Sequence, residues 1–419
     1  MTSELGPAGT PAATASPPPP AAAPGGGAAE AFRSHWHLIV LCGWSAIWFA
    51  ILAPRGGIDW KFFTEGASLV FGGQPGPHSP AGGLHTYANY PVLQMGPFSY
   101  LVAEVLRYLG PDNGVVIGEV LLTLAGMYIV YEIERIALIA RPSLTARKNE
   151  VRATILIGGA VFLIAWIELA AAFAHLDDGL ALLCAVLATR GAVTGRPAMT
   201  GVCLALAADA KPWALIFLSV ILLLPRSSRW RAAAWALAVL AVAWLPFLIA
   251  DPGTLNAANF TIRNLQRSAL RALGVSSPRT PSWDRPAQVI LGCGLGVIAI
   301  WRRRWPAVLL LAGGARIVLD PAAHSYYTPD VMVGALLWDV LGARRPFPLW
   351  SLACFAALNV APLVFGNPFV QGDIRLGVVI AFTAVLLLAP GRWCWPGKTP
   401  VVGGLVGDGL SAAPDTAGL

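Results

Sequence analysis

The chain has 419 residues, of which 56% are hydrophobic and only 12% charged, and its mean hydropathy is +0.64. Apolar runs of about 16 to 25 residues recur along it, which excludes a single soluble core and predicts an all-α polytopic membrane protein. The formal charge of +7 comes from 25 Arg and 4 Lys against 22 acidic residues; in a membrane protein such an excess sets topology, and no basic, aromatic nucleic-acid surface is visible.

Residues 1–33 are rich in Ala, Pro and Gly, with a run from Pro17 to Pro20. They cannot bury enough apolar surface to fold and predict a disordered cytoplasmic tail. The span after Arg33 is long and has no clear cleavage site, which argues against a cleavable signal peptide. Residues 34–392 predict one transmembrane domain, and 393–419 a second cytoplasmic tail. Basic residues cluster at Arg135 to Arg152, Arg190/Arg196, Arg226 to Arg231, Arg302 to Arg304, Arg344/Arg345 and Arg392/Lys398, and each cluster is expected inside. Twelve spans satisfy this: 36–54, 114–138, 152–173, 177–190, 197–210, 211–225, 232–250, 286–301, 305–320, 326–341, 347–365 and 374–390. A thirteenth at Pro91 to Leu109 would turn the Arg141 to Arg152 cluster outward. That segment is therefore expected to lie at the outer surface, within a surface-parallel first outer loop. Cys42, Cys184, Cys203, Cys293, Cys354 and Cys394 occur singly, so neither a disulfide framework nor a zinc site follows.

With this topology the polar residues fall on one side. Asp59, Glu65, Tyr87 to Pro91, His175 to Asp178, Asp209 to Pro212, the Asp251 to Arg285 loop and Asp320 to Asp330 all map to outer ends of spans. Ionisable groups at membrane depth are expensive and face water-filled cavities, so a one-sided cluster predicts a site. Asp59, at the exit of the first span and before an aromatic-rich loop, is placed to deprotonate a substrate at the interface; as alternatives it caps the Trp60 to Phe71 run or pairs with Lys61. Lys211, before Pro212, needs a partner, either Asp209 or a lipid phosphate. Residues 256–273 read as a helix with Arg263, Arg267 and Arg271 on one face. Asp177 and Asp178 suit a helix N-terminus better than a divalent metal, and no metal is expected.

A single span, Asp59 with aromatic neighbours, a helix ending Val70-Phe71-Gly72-Gly73, the Tyr90-Pro91 segment, His175-Leu176-Asp177-Asp178, Lys211-Pro212 and a late His324-Ser325-Tyr326-Tyr327 succeed one another in the order found in the GT-C glycosyltransferases. The chain resembles them from about Trp36 to Pro390. Within them it is most similar to the polyprenyl-phosphate-sugar-dependent family that includes actinobacterial mannosyltransferases of phosphatidylinositol mannoside and lipomannan synthesis. The family's doubled proline is Tyr90-Pro91-Val92 here, and its outer loop is Ala174 to Asp178.

The resemblance implies an inverting transfer of a sugar, mannose first, to an outer-leaflet glycolipid or glycan among membrane lipids. The polyprenyl-phosphate sugar serves as co-substrate and no cofactor is needed. The site would lie on the extracytoplasmic side of the plasma membrane, with Asp59 as base. His324 would donate to the leaving phosphate or position the base, and Lys211, Arg263 and Arg267 would neutralise it. Tyr90, Tyr326, His175 and Asp178 complete the implied substrate site, although Tyr326 and Tyr327 also suit an interfacial aromatic belt. A transporter or flippase of lipid-linked glycans is the alternative, and it would place its essential charges halfway along spans.

Overall fold

The computed structural model describes residues 27–388 except 73–75, 77–78 and 111–112. Most of the expected N-terminal tail, the whole of the C-terminal one, Gly73 and Cys394 lie outside these. Regular structure in the described residues is helical, apart from one antiparallel bridge between Arg263 and Arg279.

In chain order the helices are α1 (Gly27–Leu52), α2 (Trp60–Gly72), α3 (Thr86–Asn89), α4 (Pro97–Leu109), α5 (Gly114–Ala140), α6 (Lys148–Ile167), α7 (Leu176–Val193) and α8 (Pro197–Ala210). A 3₁₀ segment, Pro212–Leu223, leads to α9 (Arg226–Ala250), α10 (Ala269–Ala272), α11 (Asp284–Trp301), α12 (Val308–Leu319), α13 (Thr328–Leu337), α14 (Leu349–Phe355), α15 (Ala361–Val364) and α16 (Pro368–Leu388). Proline in the first turn starts α4, α8, α13 and the 3₁₀ segment, where its missing N–H costs nothing. The chain divides between Trp36 and His37, and α1 departs from helical backbone at His35.

Among the described residues, five helices are long and apolar enough to cross a membrane: His35–Arg55, Gly114–Ala140, Pro142–Ala172, Arg226–Ala250 and Pro368–Leu388. α9 leaves Leu237, Val242, Leu245 and Ile249 exposed, an apolar face that water would disfavour and lipid would not. In contrast α12 and α13 are enclosed, and all ten residues of α13 are buried. They approach closely because Gly334 presents no side chain: a Cβ there would lie 2.1 Å from the Leu310 amide nitrogen. α5 and α6 use the same device, with the Trp166 ring filling the space over Gly126 and its Nε1 donating to the Leu122 carbonyl at 2.7 Å.

Two expectations are revised. The helix expected at Pro91 to Leu109 begins only at Pro97; its 13 residues, about 20 Å, fall short of a ~30 Å hydrocarbon core. Its start is fixed by α8, because the Phe98 amide donates to Asp209 Oδ2 at 3.2 Å and a Cβ on Gly96 would collide with the Asp209 carbonyl, 1.4 Å away. The helix expected over 256–273 is absent. Ile262 and Thr280 exchange backbone and hydroxyl hydrogen bonds, while the Asn264 amide group donates to Val275 and Ser277 carbonyls at 3.1 and 3.0 Å. These short polar side chains capture backbone groups that a helix would have used, leaving only the end of a 3₁₀ segment, Pro252–Asn259, and the four-residue α10, capped by Ser268. Arg263, Arg267 and Arg271 therefore do not share a helical face.

Candidate functional site

The site forms where three connections meet. After α1 the chain turns, and the amides of Gly57, Ile58 and Asp59 donate in succession to the carbonyls of Ala171, Ala172 and Phe173 at 3.1, 3.4 and 3.0 Å. Those carbonyls belong to the end of α6, where Glu168–Ala172 widens to a π-helical turn, a distortion common at functional sites. Ala174 then adopts a left-handed backbone with φ of 50°, which costs a residue with a Cβ roughly 1–2 kcal/mol. The result is that His175 swings over Asp59. Its Nδ1 lies 3.0 Å from Asp59 Oδ2, while Nε2 lies 3.1 Å from Asp178 Oδ2 and 3.3 Å from Asp177 Oδ1.

Asp177 and Asp178 occupy the first turn of α7, as expected from the helix dipole. Both are fully buried and committed. Asp177 Oδ2 accepts from Lys211 Nζ, and Asp178 Oδ1 accepts from Trp213 Nε1 at 2.6 Å and lies 3.3 Å from Arg316 Nη1. Arg316, 2% exposed on α12, also pairs with Asp330, has Asp320 Oδ2 3.8 Å from its Nε, and is sandwiched between the rings of Trp213 and Tyr327 at 3.8 and 4.3 Å. Its planar cation suits both tasks.

His175, Asp177 and Asp178 could present ligand atoms within 4.8 Å of one another to a metal ion. A divalent ion there would have to displace Lys211 and Arg316, which already neutralise these carboxylates, so the donor set fits an ion network better than a metal centre.

The loop Asp320 to Tyr327 closes the site. Ser325 Oγ donates to Glu168 Oε1, docking the loop on the π turn. Tyr326 lies against His175 with ring centroids 4.2 Å apart, and His324 stacks on Tyr326 at 4.9 Å and 12°. Tyr326 and Tyr327 are buried in this cluster, so an interfacial belt does not describe them.

The charges decide which expected roles survive. Burial opposes a charge on His175, but Asp177 and Asp178 outweigh it and push His175 up to about 9, so at neutral pH it is an imidazolium between carboxylates. His324 is displaced the other way, by burial first and then by the positive charges of His175 and Arg267; it is a neutral imidazole that offers one N–H, not a cation. Lys211 is paired with Asp177 instead of Asp209 or a lipid phosphate, and Asp209 instead receives the start of α4. Asp59 does not pair with Lys61, whose ammonium lies over the Phe62 ring at 5.1 Å.

Asp59, His175, Asp178, Lys211, His324 and Tyr326 thus converge, with Arg267 near enough to act on His324. Tyr90 and Arg263 are placed elsewhere by their contacts. The Tyr90 hydroxyl donates to the Pro80 carbonyl at 2.9 Å, and exposed Arg263 is held by its backbone opposite Arg279. Four participants escape a sequence reading centred on loops: Glu168, Trp213, Arg316 and Arg375. Arg375, on α16, is 4% exposed; its Nη2 is 3.5 Å from the Ala323 carbonyl and its Nε has no hydrogen-bond partner among the described residues. The Arg267 segment crosses α16 beside it, where a Cβ on Gly372 would lie 2.8 Å from the Ser268 carbonyl. For the two arginines the available signal was a single basic residue inside each of two apolar runs.

The paired histidine gives a pH signature. A group whose folded pKa is raised from 6.5 to about 9 stabilises fully below its unfolded value, and that stability is lost as pH climbs through the folded value. Thermal melts of the purified protein between pH 6 and 10, compared with His175→Gln, should show the wild type losing on the order of 3 kcal/mol of relative stability across this window. Parallel pH curves for the two proteins would show that His175 is not the titrating group.

No protein-family model matches the chain, and no curated protein matches it significantly.

Proposed function

We propose that the chain is a membrane glycosyltransferase that moves a sugar, mannose in first place, from a polyprenyl-phosphate donor to an outer-leaflet lipid or glycan acceptor. The observation that carries this reading is the Asp59 carboxylate, 17% exposed, with Oδ2 held by His175 and no hydrogen bond to Oδ1 from the described residues. A base needs one free oxygen, fixed within hydrogen-bond reach of an acceptor hydroxyl. On this reading Asp59 Oδ1 takes the acceptor proton, the acceptor oxygen bonds to the anomeric carbon, and the bond from that carbon to the phosphate oxygen breaks. The polyprenyl phosphate leaves with the electron pair.

The departing phosphate needs cations that the His175 cluster does not offer, since its three positive groups already face Asp59, Asp177, Asp178, Asp320 and Asp330. Arg267, Arg285 and Arg375 are the remaining cations near the Asp320 to Tyr327 loop among the described residues, and neutral His324 supplies a hydrogen bond. The twelve-span arrangement, with this site at the extracytoplasmic end, belongs to the same reading. The test is transfer in liposomes containing the purified protein, a polyprenyl-phosphate mannose and a phosphatidylinositol-based acceptor. Release of polyprenyl phosphate with formation of a mannosylated lipid is expected. If no polyprenyl-phosphate sugar is consumed with any envelope lipid fraction, the glycosyltransferase reading fails.

A further inference from the structure

The other end of the helices carries a second charged feature that sugar transfer does not use. α5 starts beside Trp60, where a Cβ on Gly118 would lie 2.9 Å from the indole, and its 27 residues carry the chain about 40 Å away from Asp59. At that far end a cavity of about 460 Å³ is lined by Arg141, Arg147, Glu150, Arg344 and Arg345. This volume falls within the roughly 300–1,000 Å³ of small-ligand sites.

Two loops far apart in sequence build it. Arg141 donates from Nη1 to the Ala343 carbonyl at 2.9 Å and from Nη2 to the Arg344 carbonyl at 3.3 Å, and Arg147 Nη1 donates to the same Arg344 carbonyl at 3.0 Å. These bonds draw the turn after α13 over the connection between α5 and α6. They use the backbone of Arg344, so the side chains of Arg344 and Arg345 remain exposed. Glu150, the one carboxylate among the described lining residues, is gripped by Arg147 through Nε at 3.0 Å and through Nη2. Leaving Arg141 aside, three guanidinium groups, those of Arg147, Arg344 and Arg345, face one carboxylate among the described lining residues, and the surplus is positive. Like charges gathered in a concavity repel one another unless an anion enters, and the guanidinium fork matches the oxygens of a phosphate.

We infer that this cavity binds a phosphate mono- or diester anion, grasped by Arg344 and Arg345 above Arg141 and Arg147. Two sources share that chemistry, an anionic phospholipid headgroup and a free phosphate compound. The headgroup has apolar surface at hand, since Ile139, Phe347 and Leu349, neighbours in sequence of the lining arginines, are 42%, 60% and 44% exposed. An arginine pocket at the end of apolar helices is the kind of site such headgroups occupy. Binding there ties the connection between α5 and α6 to the turn between α13 and α14.

The full-length protein in uncharged detergent would be titrated with short-chain phosphatidylglycerol, with phosphatidylcholine of the same chain length, and with inorganic phosphate. Phosphatidylglycerol should bind saturably and raise the melting temperature, while phosphatidylcholine should do neither. Arg344→Gln/Arg345→Gln should weaken binding about ten-fold or more, the cost of losing a charge-assisted contact. Arg226→Gln/Arg231→Gln, which removes the same charge from exposed positions at the start of α9, should leave it unchanged. Saturation by inorganic phosphate, with the same sensitivity to Arg344 and Arg345, would identify a free phosphate compound as the source. The inference is overturned if neither probe binds saturably, or if both double variants weaken binding equally. Should the first double variant not be monodisperse, Arg345→Gln alone carries the comparison, because the bonds that fold the turn come from Arg141 and Arg147.

Discussion

Asp59→Asn is expected to abolish nearly all sugar transfer while leaving the protein folded. The amide keeps the shape of the carboxylate and an oxygen that can still accept from His175 Nδ1, 3.0 Å away in the wild type. The amide bonds of residues 57–59 to the carbonyls of 171–173 do not involve the side chain at all. Lost instead is the ability to take a proton. General-base catalysis contributes about 10² to 10⁴ in rate, so turnover should fall by that factor while the melting temperature stays close to wild type. The discriminating measurement is kcat in the liposome assay beside a thermal melt of the same preparation. Turnover within a few-fold of wild type would remove Asp59 as the base. Loss of both turnover and stability would assign it a structural role through His175.

The sequence made the poles of this site legible and hid its middle. Asp59, His175, Asp177 and Asp178 sit at ends of apolar runs, where a carboxylate or imidazole has no cheap place in lipid, so hydropathy alone points to them. Lys211 was legible as a group needing a partner. Which partner was not, because Asp209 is two residues away in sequence but is turned by α8 toward the start of α4, whereas Asp177 faces Lys211 in space. The arginine helix failed for a local reason: Asn264, Ser268 and Thr280 bind backbone groups, and a count of charges at every fourth position does not see that competition. Hydropathy also averages a single arginine away over twenty apolar neighbours, which is why Arg316 and Arg375 passed as parts of spans. The direction of charge on His324 depends on His175 and Arg267, contributed by other parts of the chain, and could be read only from the assembled site.

The largest loss of stability is expected from Arg316→Met. In the native protein this guanidinium, 2% exposed, pairs with Asp178 and Asp330, lies 3.8 Å from Asp320 and fills the space between Trp213 and Tyr327. Methionine supplies volume without charge, leaving three buried carboxylates without their shared counter-ion. Removing one member of a buried ion network costs about 3–5 kcal/mol, a large fraction of the roughly 5–15 kcal/mol that holds a typical domain together. Arg316→Lys keeps the charge but cannot span the carboxylates or stack between two rings, so it should recover part of the loss and no more. Adding Asp330→Asn to Arg316→Met should also recover part, because it removes one uncompensated charge without restoring the aromatic sandwich. The readout is the fraction of monodisperse protein and its melting temperature in detergent. An Arg316→Met protein that melts with the wild type would mean that the carboxylates around it are uncharged in the folded state, and that packing between Trp213 and Tyr327 is what the arginine provides.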